Sequence, residues 1–143
     1  MPDATAPELE ELITAAADAA TRARAHAYAP YSDFRMGAAV VAADGTVVEG
    51  VLVENVSLGL AMCAERVALF TAVTNRVRPA VLALSSRRTG DELTFPCGAC
   101  LQVALELAGP DLVVVAVDPD GTSDHAALES LLTRAPSRHH PFP

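Results

Sequence analysis

Apolar positions in residues 7–28 recur at helical spacing, with Leu9, Leu12, Ile13, Ala16, Ala20 and Ala27 on one face. Glu8, Glu10 and Glu11 come early and Arg22 and Arg24 late, the charge order that a helix dipole favours. Ala29-Pro30-Tyr31-Ser32 breaks the pattern. Two short β-rich runs follow, 38–43 and 46–53, around Asp44-Gly45, a strong hairpin signal. Residues 54–60 read as a loop containing Gly59. Residues 63–74 carry Val67, Leu69, Phe70 and Val73 at helical spacing, and 81–85 form a third apolar run. The stretch 87–95 is polar and turn-rich. A further helix opens at Pro96-Cys97-Gly98-Ala99-Cys100, runs to about residue 107 and is stopped by Gly109-Pro110. Residues 112–117 make a strand, 118–121 a turn, and 126–132 a last short helix. The tail 137–143 is expected to be mobile or held by a partner subunit.

This order, α-β-β-α-β-α-β with a final helix, predicts a three-layer α/β/α sandwich around a mixed sheet. The hairpin makes the first two strands antiparallel, and the later strands can run parallel through their helical connections. At 143 residues, with no internal repeat and no long linker, the chain is expected to be a single domain, 1–143.

Composition narrows the function. Half the residues are hydrophobic, but few are aromatic and none is Trp, so small aliphatic side chains must build the core. The net charge is -8 and every basic side chain other than His is Arg, with no basic run. That argues against nucleic acid as a partner, since phosphate binding needs clustered cations. It also argues against an anionic membrane surface. No apolar run reaches the length of a membrane span, and Met1-Pro2-Asp3-Ala4 has neither a charged n-region nor an apolar h-region, so a cytoplasmic location is expected.

The three cysteines carry the chemistry. They fall in Cys63-Ala64-Glu65 and in Pro96-Cys97-Gly98-Ala99-Cys100, each at the start of an expected helix. A helix N-terminus favours a thiolate. Cys97 and Cys100 stand one helical turn apart, so both sulfurs can face one ion, with Cys63 as a third ligand. Zinc is tetrahedral, and a catalytic site leaves one of its positions for water. Glu65 can face that position and move protons from water to a leaving amine. Arg66 can donate hydrogen bonds to a cysteine sulfur and offset the charge of three thiolates. The residues alone leave other readings open: a redox Cys-x-x-Cys, a structural zinc site lacking its fourth ligand, and three ordinary buried thiols.

The chain resembles the small homotetrameric zinc-dependent cytidine deaminases along nearly its whole length. The stretches that carry the resemblance are Tyr28-Ala29-Pro30-Tyr31-Ser32-Asp33-Phe34-Arg35-Met36-Gly37, Val53-Glu54-Asn55, Cys63-Ala64-Glu65-Arg66, and Pro96-Cys97-Gly98-Ala99-Cys100 with Gln102. The resemblance implies a five-stranded mixed sheet, one Zn2+ per subunit and active sites completed by neighbouring subunits. It implies hydrolysis of the 4-amino group of cytidine or deoxycytidine to uridine or deoxyuridine and ammonia, a pyrimidine salvage reaction. Water attacks C4 while Glu65 shuttles protons, as in zinc deaminases generally. By position, Phe34 would pack on the pyrimidine and Glu54 would bind a ribose hydroxyl. The Ala64 N–H and the Glu65 carboxylate would hold the polar edge of the base, and the Phe95 carbonyl would accept from the amine.

Several positions depart from the family pattern. Leu52 stands where an Asn binds the sugar, Leu58 where a Tyr is frequent, and Leu101 where an Arg follows the Cys-x-x-Cys. The C-terminal Leu-Leu-Pro-x-x-Phe pattern, whose Phe caps a base, reads Leu131-Leu132-Thr133-Arg134-Ala135-Pro136, with Phe142 as a substitute further on. These changes touch substrate recognition and leave the metal site and proton shuttle intact. They favour, as alternatives, a deaminase of a modified cytosine nucleoside or another aminated heterocycle, or a non-catalytic binding protein of the same fold. A polynucleotide editor is disfavoured by the acidic balance.

Overall fold

The protein is described here by a computed structural model covering residues 6–138. Residues 139–143 of the expected tail, with His139, His140 and Phe142, lie outside the described residues. The element order is α1 (Ala6–Arg24), β1 (Gly37–Val41), β2 (Val47–Val51), α2 (Ala64–Thr74), β3 (Val81–Ser85), α3 (Gly98–Ala108), β4 (Val113–Val117), β5 (Ser123–Ala127) and α4 (Leu128–Leu131), with a 3₁₀ turn at Leu58–Leu60. The five strands form one mixed sheet in the order β2-β1-β3-β4-β5. Only β3 and β4 are parallel, joined through α3; the other pairs are antiparallel.

Strand alternation divides the core into two layers. Ala39, Val41, Val81, Ala83 and Val115 point to one face and pack under Leu12, Ile13, Ala16, Ala19 and Ala20 of α1. Ala38, Val40, Leu82 and Val114 point to the other and meet Ala68, Leu69 and Ala72 of α2 and Leu101, Ala104 and Leu105 of α3. This is the expected three-layer sandwich. A fully buried Leu such as Leu69 or Leu82 contributes about 1.5–3 kcal/mol by leaving water. The helices bring mostly Ala to the sheet, so the layers lie close together. Gly50 permits a close approach on the α2 side: a Cβ there would stand 2.6 Å from the Ala64 carbonyl oxygen and collide with the Ala68 backbone nitrogen. Gly50 therefore sets how near the first turn of α2 comes to β2.

The hairpin forms where Asp44-Gly45 predicts it. The Asp44 carboxylate accepts from the Thr46 N–H at 2.9 Å, and Gly45 takes φ +90°. Two elements differ from expectation. The first helix ends at Arg24, four residues early, because the chain turns there to lead into β1. The helix expected over 126–132 is only Leu128–Leu131, and its first two residues belong to the fifth strand, which the hydrophobic pattern does not show. β5 covers the open edge of β4 while mostly exposed itself, so its sequence Ser-Asp-His-Ala-Ala needs no apolar face. Buried Asp118 enforces the turn into it: Oδ1 accepts from the N–H groups of Asp120 and Thr122, and Oδ2 from Arg88 Nε at 2.9 Å.

Gly37, Val51, Ser85 and Val117 align across β1 to β4 in register. The segments 25–36, 52–63, 86–97 and 118–122 therefore all meet at one end of the sheet, the end where open α/β sheets build their sites. Bridges from Tyr28 to Val53 and from Val53 to Met62 tie the first two segments together.

Gly50→Ala is expected to push α2 off the sheet, lowering stability by about 1–3 kcal/mol. Thermal denaturation checks this, and an unchanged midpoint would show that α2 has slack at this contact.

Candidate metal centre and active site

Cys63 and Cys97 are the last non-helical residues before α2 and α3. Both have extended backbones, with φ, ψ of -66°, 147° and -67°, 166°. The carbonyl of each accepts the first helical bond, from Val67 and Leu101 respectively. Neither sulfur caps its own helix, so both stand before helix N-termini, where partial positive charge favours a thiolate. Cys100 lies one turn into α3 and is buried.

The structure brings the three expected cysteines together: their sulfurs lie within 4.8 Å of one another. Cys97 Sγ and Cys100 Sγ are 3.6 Å apart, and all three thiols are free of disulfides. Sulfurs bound tetrahedrally at about 2.3 Å from one zinc stand about 3.8 Å apart. The cluster therefore fits a single tetrahedral ion, with three donors and one position left over.

Arg66 donates from Nη2 to Cys63 Sγ at 3.5 Å. The Cys63 thiol is pulled below its ordinary value, first by a hydrogen bond from Cys100 and then, against the opposing effect of burial, by Arg66. Cys100 moves the other way. Its proton is held by the bond to Cys63, by burial and by the charge of Glu65. The two thiols are thus pushed in opposite directions by their mutual contact, and a metal bound by both would displace the proton between them.

Glu65, in the first turn of α2, is 1% exposed. Burial pushes its carboxyl up to about 7, aided by the charge of Cys63 and partly countered by its own backbone N–H, Cys100 and Arg66. Its Oε1 is buried with no hydrogen-bond partner among the described residues. An orphan oxygen of this kind costs about 1–3 kcal/mol, and at a folded site it marks a group kept for a ligand. A carboxyl near neutrality can both accept and donate a proton.

The residues expected to contact substrate lie on or beside the segments that meet at the same sheet end. Ala64 is buried at the first position of α2, and Phe95 is half-buried two residues before Cys97. Leu52 is half-buried just past β2, and its N–H is spent on the Met36 carbonyl. Glu54 has a role that the sequence did not suggest. Its Oε1 accepts from the N–H groups of Tyr31 and Ser32 at 3.0 and 3.2 Å, and its Oε2 from the Ser32 hydroxyl at 2.6 Å. These bonds hold its carboxyl below the usual range, with the Ser32 hydroxyl the largest cause. Ser32 Oγ in turn accepts from the Phe34 N–H at 3.0 Å. Glu54 thus fastens the turn that presents Phe34. Of the departures from the family pattern, Leu101 is a buried core residue and Leu58 is fully on the surface. Leu131, Leu132 and Ala135 pack on the α2–α3 core, and Gln102 donates to the Pro136 carbonyl at 2.9 Å.

A mixed five-stranded sheet with a three-sulfur centre and a buried carboxyl at two converging helix N-termini defines a zinc-dependent hydrolytic deaminase. Residues 9–117 match the family model of the cytidine and deoxycytidylate deaminase zinc-binding region, and the chain belongs to that family. It is 40% identical over 116 residues to a cytidine deaminase of Halalkalibacterium halodurans, covering 81% of this chain and 87% of the relative. It is 38% identical over 125 residues to a probable cytidine deaminase of Dictyostelium discoideum, covering 87% and 81%. The crystal structure of cytidine deaminase from Burkholderia pseudomallei is similar at 43% identity and a TM-score of 0.77, covering 88% of this chain and 97% of that one.

Cys97→Ala should leave purified protein with well under one zinc per chain by elemental analysis and a lower melting temperature, since metal binding adds to folding free energy. Full zinc content would remove Cys97 from the ligand set.

Proposed function

We propose that the protein hydrolyses the 4-amino group of cytidine and deoxycytidine, releasing uridine or deoxyuridine and ammonia. The observation that carries this reading is the orphan Glu65 oxygen beside three sulfurs at zinc-ligand spacing. Cys63, Cys97 and Cys100 hold the zinc, and Arg66 neutralises part of their charge. Bound zinc supplies Lewis acidity that lets water act as a nucleophile at neutral pH. Glu65 would carry one proton of the attacking water to ring N3 and the other to the departing amino nitrogen, which leaves as ammonia as the water oxygen takes its place at C4. The Ala64 N–H and Glu65 hold the polar edge of the base, the Phe95 carbonyl accepts from the amine, and Phe34 packs on the ring. Glu54 reaches a ribose hydroxyl with its remaining acceptor capacity.

A second reading, a modified cytosine nucleoside or another aminated heterocycle, is favoured by two particulars. Leu52 offers no hydrogen bond to a sugar, and both Glu54 oxygens already serve the Tyr31–Ser32 turn. Higher kcat/KM on a modified nucleoside than on cytidine and deoxycytidine would select it.

We further propose a homotetramer with shared active sites. Val56, Leu58 and Leu60 are 79%, 86% and 69% exposed in the segment leading to Cys63, an expanse of apolar surface that a second copy would cover. A groove of about 410 Å³ between α2 and α3, lined by Phe70, Val73, Val103, Glu106 and Leu107, offers a second such face. No helix among the described residues is long and apolar enough to cross a membrane. The reduced thiols that the centre needs support a cytoplasmic location, and the acidic balance supports a small-molecule substrate over nucleic acid.

Glu65→Gln is expected to retain zinc and lose turnover by about 10²–10⁴-fold, read as the fall in ultraviolet absorbance of cytidine. Retained turnover would assign the proton to another residue. Leu58→Asp is expected to reduce the particle mass below four chains in light scattering and to reduce turnover with it. Full activity in a monomer would refute shared sites.

A further inference from the structure

Arg87 lies just past the end of β3, at the sheet end that carries the active site. Its guanidinium carbon stands 4.6 Å from the centroid of the Phe34 ring, within the range of a cation–π contact. Its side chain leaves from a fixed point. Thr94 Oγ1 and Ser86 Oγ both donate to the Arg87 carbonyl, at 2.7 and 3.1 Å. Its neighbour Arg88 is pinned by Asp118 and by the Asp91 carbonyl at 2.9 and 2.8 Å. Among the described residues, Arg88 pairs with a carboxylate and Arg87 does not; the aromatic face is what holds the Arg87 head.

Phe34 is held from the other direction as well. Its backbone N–H is bound to Ser32 Oγ, which Glu54 anchors. The ring is therefore fixed through its backbone by the Glu54–Ser32 pair and through one face by Arg87. A half-buried aromatic ring with a cation on one face has the other face to offer.

We propose that Arg87 is a positioning residue for the substrate base: it stacks on one face of Phe34 and thereby presents the opposite face to the pyrimidine. The proposal rests on the reading that Phe34 packs against the base. It assigns Arg87 no contact with the reacting atoms. Its effect falls on binding and leaves the chemical step unchanged.

The test is a double-mutant cycle on the zinc-loaded protein, with Arg87→Ala, Phe34→Leu and the pair, measuring KM and kcat for cytidine and zinc per chain. Arg87→Ala should raise KM about two- to fivefold, the worth of an exposed cation–π contact, with kcat within about twofold and zinc unchanged. In the Phe34→Leu background the same substitution should have no further effect on KM, because the ring through which it acts is gone. An unmoved KM in Arg87→Ala overturns the proposal. So does a KM effect that persists without Phe34, or a joint loss of kcat and zinc, which would mark a structural role. Wild-type protein inactive on both cytidine and deoxycytidine would refute the substrate reading first and the proposal with it; active wild type with an unmoved KM refutes the proposal alone.

Discussion

Three thiols crowded within 4.8 Å cannot all ionise without something positive among them, and the surrounding structure answers that constraint. Two helices begin at the cluster and aim their N-terminal dipoles at it. Arg66, one turn along α2 from Cys63, returns its guanidinium to that sulfur. A divalent ion held by the three sulfurs would supply the remaining charge. The same crowding acts on Glu65, whose carboxyl is held near neutrality by burial and by the nearby thiolate. Metal affinity and proton transfer are consequences of one electrostatic balance.

The sandwich exists in the form it does because that balance has to be held at fixed geometry. Cys63 and Glu65 ride on α2, and α2 is seated on β2 where Gly50 removes the side chain that would hold it away. Cys97 and Cys100 ride on α3, the crossover between the parallel strands β3 and β4. The small residues of the core keep both helices close to the sheet, so their first turns converge at one sheet end. A core of larger side chains would bury more area and would separate those turns.

Much of this was legible in the sequence, for a physical reason. The metal cluster is written in short local spacings, Cys63 with Glu65 and Cys97 with Cys100, and local spacing becomes geometry once a helix forms. The layers follow from hydrophobic periodicity in the same way. What stayed hidden depends on pairs distant along the chain. β5 is an edge strand with no buried face, so Ser123–Ala127 carries no alternation to detect. Glu54 bonds to a turn 22 or 23 residues earlier. The resemblance suggests a sugar ligand there, and the turn-holding role appears only in the folded structure. Arg87 reads as one of two adjacent surface cations, and nothing local separates the one that meets Asp118 from the one that meets Phe34.

The way the two halves of the site are anchored differs, and this bears on how the protein can evolve. The cysteines and Glu65 stand on helix starts rooted in the tightly packed core, where a substitution disturbs the whole sandwich. Phe34, Leu52, Glu54, Leu58 and Arg87 stand on segments beyond the strand ends, held by two β-bridges, hydrogen bonds and one ring contact. Changes in those segments leave the core untouched. The chain is a conservative reaction centre fitted with an exchangeable mouth. Substrate preference can therefore shift by replacements at positions such as Leu52 and Leu58, while the hydrolytic chemistry beneath is carried forward intact.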